Sequence, residues 1–382
     1  MAPSPPGPAL GLYVHWPYCR RICPYCDFNV VRHRGRETEA RALVAAILRD
    51  IAAHRARTGP RRLVSIFLGG GTPSLMRPED VAEIIAAARG AWSPAADLEV
   101  SLEANPTDAE AEGFAALAGA GVNRLSLGVQ SLSDEALVRL GRNHDAASAR
   151  RAVARAQTAF ARVSLDLIHS WPGQDEWAWR SDLEAALALG PEHISAYELT
   201  FEPGTAFTRA RDRGRMVAPD EDRRARLFAL TGEVLSGHGF QAYEISNFAR
   251  SPATRARHNL IYWRGEDYVG VGPGAHGRLT LDGVRIATEA PRAIDAYVKA
   301  AGDEGPAGAW LALTAQEAAL ERLAMGLRLA EGVPLADLAA LAVDPMRIAE
   351  LGAFVDVQEG RLIVRPSARA VTDRLALELC PV

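Results

Sequence analysis

Short apolar runs recur along the first half of the chain, spaced widely enough to hold one helix between most neighbours. Leu12-Tyr-Val-His15, Leu63–Leu68, Leu98–Glu103, Arg124–Gly128, Val163–Ile168 and His193–Glu198 read as strands. Glu37–Arg57, Pro78–Arg89, Asp108–Ala118 and Ala146–Phe160 carry apolar residues at helical spacing, and Pro78 and Asp108 suit helix starts. Strand–helix alternation predicts a parallel sheet with right-handed crossovers. Six such strands fall short of the eight that close a barrel. The pattern therefore predicts an α/β fold built on an open, partial (β/α)6 barrel.

The alternation fades after residue 215. Asp220–His238 reads as a helix, Phe240–Ile245 as a short strand, and 246–280 as irregular and rich in glycine and aromatic residues. Helical segments at Thr314–Leu329, Pro334–Ala342 and Met346–Gly352 follow. Phe354–Gln358 and Leu362–Arg365 flank a Glu359-Gly360 turn, and a last helix is predicted over 367–379. Four parts are expected: a disordered N-terminus over 1–10, the partial barrel over 11–215, a connecting region over 216–305, and a C-terminal helical, winged-helix-like domain over 306–382.

Composition narrows the class. With 382 residues, 48% of them hydrophobic, the chain can bury a large core. A net charge of -4 gives no basic surplus of the kind nucleic acid attracts, and the cluster Arg209-Ala-Arg-Asp-Arg213 reads as a solvated helix face. The proline-rich start lacks the basic and apolar regions of a secretory signal, and no apolar run is long enough to span a bilayer. A soluble, cytoplasmic protein without nucleic acid or an integral membrane segment is expected.

Three of the four cysteines lie in Cys19-Arg-Arg-Ile-Cys23-Pro-Tyr-Cys26, and the fourth is Cys380. Such tight clustering argues for metal rather than disulfides. Three thiolates can ligate three irons of a cubane cluster and leave the fourth iron open to a small molecule. A zinc site completed by His15 or His33, or reduced structural thiols, are the alternatives.

Unusual residues also fall at the C-terminal ends of the predicted strands, where parallel barrels carry their function. The cysteine loop follows the first strand and Gly69-Gly-Gly-Thr-Pro73 the second. Glu103-Ala-Asn-Pro106, Gly128-Val-Gln-Ser131, Asp166 and Glu198–Glu202 follow in turn. Glycines let bare backbone approach a ligand. Glu103 and Asp166 can accept hydrogen bonds from ribose hydroxyls or an ammonium group, and Arg142 can pair with a carboxylate. An amino-acid-bearing nucleoside needs such groups.

Together, Tyr13-x-His15-x-Pro17-x-Cys19-x3-Cys23-x-Tyr25-Cys26, Gly69–Pro73, Glu103-x-Asn-Pro106 and Asn123–Ser131 resemble the radical-SAM family of oxygen-independent coproporphyrinogen III oxidases and their relatives. The resemblance runs from about residue 10 to the C-terminus. It is nearer to the heme-chaperone branch, because Phe28 stands where the oxidases carry another cysteine and His258-Asn-Leu-Ile-Tyr-Trp263 resembles that branch's H-N-x-x-Y-W element.

The resemblance implies a [4Fe–4S] cluster on Cys19, Cys23 and Cys26, with S-adenosylmethionine chelating the open iron. Reductive cleavage of the sulfonium would give methionine and a 5′-deoxyadenosyl radical, with the protein positioning the cofactor. Matching positions imply Tyr13, Tyr25, Gly70, Gly71, Thr72, Glu103, Gln130, Arg142 and Asp166 as S-adenosylmethionine contacts. His258, Asn259, Tyr262 and Trp263 are implied at heme, where a histidine can ligate iron and aromatics can pack on the porphyrin; filling a core is the other role open to them. Heme, a heme-acceptor protein such as a respiratory enzyme, and an electron donor are the implied partners, and a homodimer is compatible with them. The alternative activity is radical oxidative decarboxylation of coproporphyrinogen propionates. One departure stands out: the family's Asp-x-x-Tyr-Gly-x-Pro-Gly is here Asp166-Leu-Ile-His-Ser-Trp-Pro-Gly173.

Overall fold

A computed structural model describes residues 7–302 and 305–380. Residues 1–6 of the segment expected to be disordered lie outside the described residues, and Ala9 and Leu10 already belong to the first strand.

The six predicted strands are all present: β1 (Ala9–Trp16), β2 (Arg62–Gly70), β3 (Ser93–Ala104), β4 (Arg124–Gln130), β5 (Arg162–His169) and β6 (His193–Glu198). Each pairs in parallel with its successor. One face of the strands packs under the helices, where Leu10, Leu12, Val14, Ile66, Leu68, Leu102, Leu125, Leu127 and Leu165 are fully buried, while alternate residues such as Ser126 and Asp166 face the barrel interior. Helices Glu37–Thr58, Pro78–Ala91, Ala146–Ala159 and Glu176–Leu187 form the outer layer. Asp145 and Asp175 start the last two by accepting the amides of Ser148 and Ala178. The helix expected over 108–118 is broken into Asp108–Ala111 and Phe114–Gly119.

The stretch 216–305, expected as a connecting region, extends this sheet at both edges. Beyond β6, β7 (Gln241–Ala242) and β8 (Asn247–Ala249) form a short antiparallel ribbon. On the other side β9 (Tyr268–Val271) pairs in parallel with β1. It is followed outward by antiparallel β10 (His276–Leu281), β11 (Val284–Glu289) and β12 (Ala309–Ala312). The twelve strands run in the order β12-β11-β10-β9-β1-β2-β3-β4-β5-β6-β8-β7.

One hydrophobic cluster spans the barrel and its extensions up to Ala307. A second, built from residues such as Leu323, Leu338, Val355, Leu362 and Leu379, belongs to the C-terminal part. There, helix Ala315–Gly326 starts with a Thr314–Glu317 capping box. Val355–Gln358 and Arg361–Val364 form the expected hairpin, with Glu359 and Gly360 both at positive φ. Cys380 belongs to this part, where its Sγ donates to the carbonyl of Ala376.

Candidate functional site

A cavity of about 400 Å³ runs through the barrel from the C-terminal ends of the strands to its floor. Its mouth is lined by the cysteine loop, Gly70, Gly71, Thr72, Asn105, Gln130 and Arg142, its wall by Glu103, Ser126 and Asp166, and its floor by Arg124, Ser164, His193 and Asn259. Of the predicted S-adenosylmethionine contacts, all but Tyr13 line it.

The cysteine loop is held at both ends. Tyr18–Cys19 pairs with Val31–Arg32, and the amides of Val31 and His33 donate to the carbonyls of Pro17 and Cys19. Pro24 accepts the Phe207 amide at 3.0 Å, which ties the loop to the segment after β6. The Arg142 Nη1 donates to Cys23 Sγ at 3.0 Å, and the Thr72 hydroxyl to Cys19 Sγ at 3.5 Å. Burial first of all pushes the Cys19 and Cys26 thiols up to about 11. Both therefore stay protonated in the bare loop at neutral pH, and metal binding has to displace the protons.

The residues fit an iron–sulfur cluster. Three thiols converge on one cavity beside donors that stabilise bound sulfur, and the Arg142 Nε is buried there without a hydrogen-bond partner among the described residues. Among the described residues no three His, Cys, Asp or Glu side chains are grouped closely enough for a single metal ion. His15 is also committed elsewhere: its Nδ1 bonds the Tyr13 hydroxyl and its Nε2 the Asn29 carbonyl, both at 2.9 Å. It is therefore not placed to complete a zinc site. The His33 ring packs edge-on against Tyr18 and does not line the cavity.

Arg142 spans three partners, since its Nη2 also donates to Asn105 Oδ1 and to the Gly128 carbonyl. Glu103 accepts the Gly70 amide at 2.9 Å. Its carboxyl is raised to about 7, mainly by burial and further by the charge of Asp166. Asp166 accepts the Ser126 hydroxyl on both oxygens, at 2.9 and 3.1 Å, and burial raises it to about 6. Gln130 adopts φ +66°, a strained conformation for a non-glycine residue at the rim of a site. Asn105 and Ser126 were not singled out as site residues in the sequence, although each lies inside a quoted motif, Glu103-x-Asn-Pro106 and Asn123–Ser131.

A model of the radical SAM superfamily matches residues 13–186. A protein of Bos taurus named radical S-adenosyl methionine domain-containing protein 1, mitochondrial, is 43% identical over 283 residues; the match covers 74% of this chain and 63% of that protein, less than two thirds of its length. The heme chaperone HemW of Mycobacterium tuberculosis is 35% identical over 385 residues, covering 99% of this chain and 96% of that protein. The chain belongs to the HemW family of radical-SAM proteins. Its fold is similar to that of the Escherichia coli coproporphyrinogen III oxidase HemN, with a TM-score of 0.80 at 21% identity over 98% of this chain and 91% of that one.

Two features the sequence singled out can now be placed within this HemW-family chain. Helix Arg257–Trp263, which carries the His-Asn-x-x-Tyr-Trp element, lies against the barrel floor rather than at the mouth. Arg124 donates to the carbonyls of Thr254 and Arg255, and Glu99 accepts the Arg257 amide at 2.8 Å. Gly11 lets the helix approach β1, since a β-carbon there would lie 2.9 Å from Ile261 Cδ1. Asn259 lines the cavity, but His258, Tyr262 and Trp263 do not. His258 stacks on Phe67 with ring centroids 4.3 Å apart and meets Tyr262 edge-on at 4.4 Å. Tyr13 stacks on its other neighbour Phe67 and on His258. Burial pulls His258 down to about 3, so it is neutral, and neither ring nitrogen has a partner among the described residues.

The departure after β5 forms a turn with left-handed backbone at Ser170. Ser170 occupies the glycine position of the HemW-family pattern and adopts φ +60°. Its amide donates to Gln174 Oε1 at 2.6 Å, and its hydroxyl bonds His169 Nδ1 at 2.9 Å. His169 packs on Trp179, Trp171 joins a small cluster with Leu199 and Phe207, and neither lines the cavity. His169, Ser170 and Trp171 thus lie outside the cavity lining, to which this stretch contributes Asp166 and Ile168. Among the described residues no helix is long and apolar enough to cross a membrane.

Proposed function

We propose that this chain is a heme chaperone of the cytoplasm. It binds heme, holds a [4Fe–4S] cluster on Cys19, Cys23 and Cys26 with S-adenosylmethionine beside it, and passes heme to an acceptor such as a respiratory enzyme. The observation that carries this reading is Phe28: it stands two positions after Cys26 and is 61% exposed, so the loop offers no thiolate beyond the three. A relative named heme chaperone HemW, alike over nearly the whole chain, supports the same reading.

When bound, the cluster and S-adenosylmethionine supply one-electron reductive chemistry, which needs an electron donor. The chain's own residues bind and orient. Gly70 and Gly71 bring backbone close to the ligand, Glu103 and Asp166 accept its hydroxyl or ammonium protons, and Thr72 and Arg142 steady Cys19 and Cys23. His258 is the proposed iron ligand for heme. It is neutral, and its ring nitrogens have no other partner among the described residues. It reaches heme once helix Arg257–Trp263 leaves the floor.

Anaerobic heme titration followed at the Soret band tests the reading. His258→Ala should weaken heme binding and alter the band, whereas unchanged affinity and spectrum remove His258 from the site. Robust protoporphyrinogen formation from coproporphyrinogen III, with reductant present, would replace the chaperone with the oxidase.

A further inference from the structure

Cys19 and Cys23 each accept a hydrogen bond from a side chain, the Thr72 hydroxyl and the Arg142 Nη1, and both donors meet at Asn105. The Asn105 Nδ2 donates to Thr72 Oγ1 at 3.1 Å, and its Oδ1 accepts the Arg142 Nη2. The direction of every bond in this chain follows from Arg142. A guanidinium can only donate, so the oxygen of the Asn105 side chain has to face it and the nitrogen faces Thr72. The Thr72 oxygen then receives a hydrogen, and its own is left for Cys19. Both ends of the relay are fixed by backbone. The Asn105 main-chain N–H donates to Glu110 Oε2 at 3.0 Å, and that buried carboxyl also accepts the hydroxyls of Ser74 and Thr107. The Thr72 main-chain N–H donates to the Tyr18 carbonyl at 2.9 Å, which holds the hydroxyl beside Cys19.

Hydrogen bonds to coordinating sulfur favour the reduced, more negatively charged state of an iron–sulfur cluster. A hydroxyl free to rotate, or a guanidinium free to swing, would give that effect only part of the time. We propose that Asn105 is a positioning residue for the group held by the three cysteines: it aims one hydrogen bond at Cys19 and another at Cys23, and so raises the potential at which that group takes up an electron. The inference rests on the [4Fe–4S] reading of the loop. Asparagine suits the task because it carries one donor and one acceptor on a single rigid plane, and each of its two neighbours needs a different one.

The test is a potentiometric titration of the full chain, reconstituted without oxygen and followed by electron paramagnetic resonance of the reduced cluster at equal iron content. Asn105→Ala should lower the midpoint by the equivalent of about tenfold in the reduction equilibrium, ~59 mV for one electron. Asn105→Asp, which keeps the shape, separates the two arms. It retains an oxygen for Arg142, turns the Thr72 hydroxyl from Cys19 toward itself, and adds charge. Thr72→Val removes that hydroxyl. The shift caused by Asn105→Asp should therefore be smaller in the Thr72→Val background than alone, because only the added charge is left to act. A residue that merely supports the fold would lower the melting temperature or the cluster content and leave the midpoint of intact clusters in place. An unchanged midpoint in Asn105→Ala, or equal shifts from Asn105→Asp in both backgrounds, overturns the proposal. If Asn105→Ala holds no cluster, the comparison of the two backgrounds decides by itself. If the unaltered chain assembles no cluster, the reading of the loop fails and takes this inference with it, whereas a cluster whose potential ignores Asn105 sinks this inference alone.

Discussion

Gly70 has no room for a side chain, because a β-carbon there would lie 2.5 Å from Cε1 of His15. The contact is rigid on both sides. His15 is anchored through both ring nitrogens, and Gly70 sits at φ +105°, which side chains rarely tolerate. Gly70→Ala should therefore lower stability by about 1–3 kcal/mol, read from denaturant unfolding. It should also displace the amide that Glu103 accepts and weaken S-adenosylmethionine binding. Binding as tight as that of the unaltered chain would show that the strand end relaxes without reaching the ligand.

Binding of S-adenosylmethionine should depend on pH through Glu103 and Asp166. Burial raises these carboxyls to about 7 and about 6 in the ligand-free site. A cationic sulfonium favours their ionised forms, so binding lowers both values and releases protons. Affinity should rise with pH through about 6 to 7 and level off above, by about tenfold per unit of lowered pKa. Calorimetry in buffers of different ionisation enthalpy would count the protons, and Glu103→Gln should flatten the profile.

The same raised values bear on folding. The unfolded carboxylates ionise near pH 4, before the folded ones. The folded chain therefore holds more protons between about pH 4 and about pH 7, and stability should decline as pH rises through that window. A double Glu103→Gln, Asp166→Asn variant should lose this part of the slope; an unchanged slope would place its origin elsewhere.

At Ser170, positive φ costs about 1–2 kcal/mol, offset in part by the hydroxyl's bond to His169. Ser170→Gly relieves the strain, gives up that bond and loosens the unfolded chain, so the net change should stay within about 1 kcal/mol. Ser170→Val adds branching where left-handed backbone is least tolerated and should cost more than about 2 kcal/mol. Equal melting temperatures for the two variants would show that the turn reorganises.

If His258 ligates heme as proposed, helix Arg257–Trp263 has to leave the barrel floor. Hydrogen exchange over 254–263 should therefore speed up on adding heme, while β1 and β2 stay protected. Unchanged protection together with tight heme binding would place heme elsewhere.

The barrel was legible because β1 to β6 repeat apolar runs long enough to register locally. β9 was not: Tyr268-Val-Gly-Val271 has four residues and pairs with a strand at the other end of the chain. The helix expected over 108–118 ignored the break at Glu112-Gly113, where the helical run is interrupted. In the site, glycines, cysteines and carboxylates at strand ends announced themselves, and the cavity gathers them. The floor position of His258 was invisible, since it depends on Arg124 and Glu99 holding the 254–257 backbone.

The pairing of β1 with β9 also dictates when the molecule can be assembled. Residues made first, such as Leu12, must wait for Val269 before gaining their second neighbour strand. During synthesis this flank of the sheet stays open until some two-thirds of the polypeptide has emerged, and such long-range closure is slow and leaves a sticky edge. Shortening the chain just before Tyr268 should thus yield an aggregating product rather than a smaller working barrel.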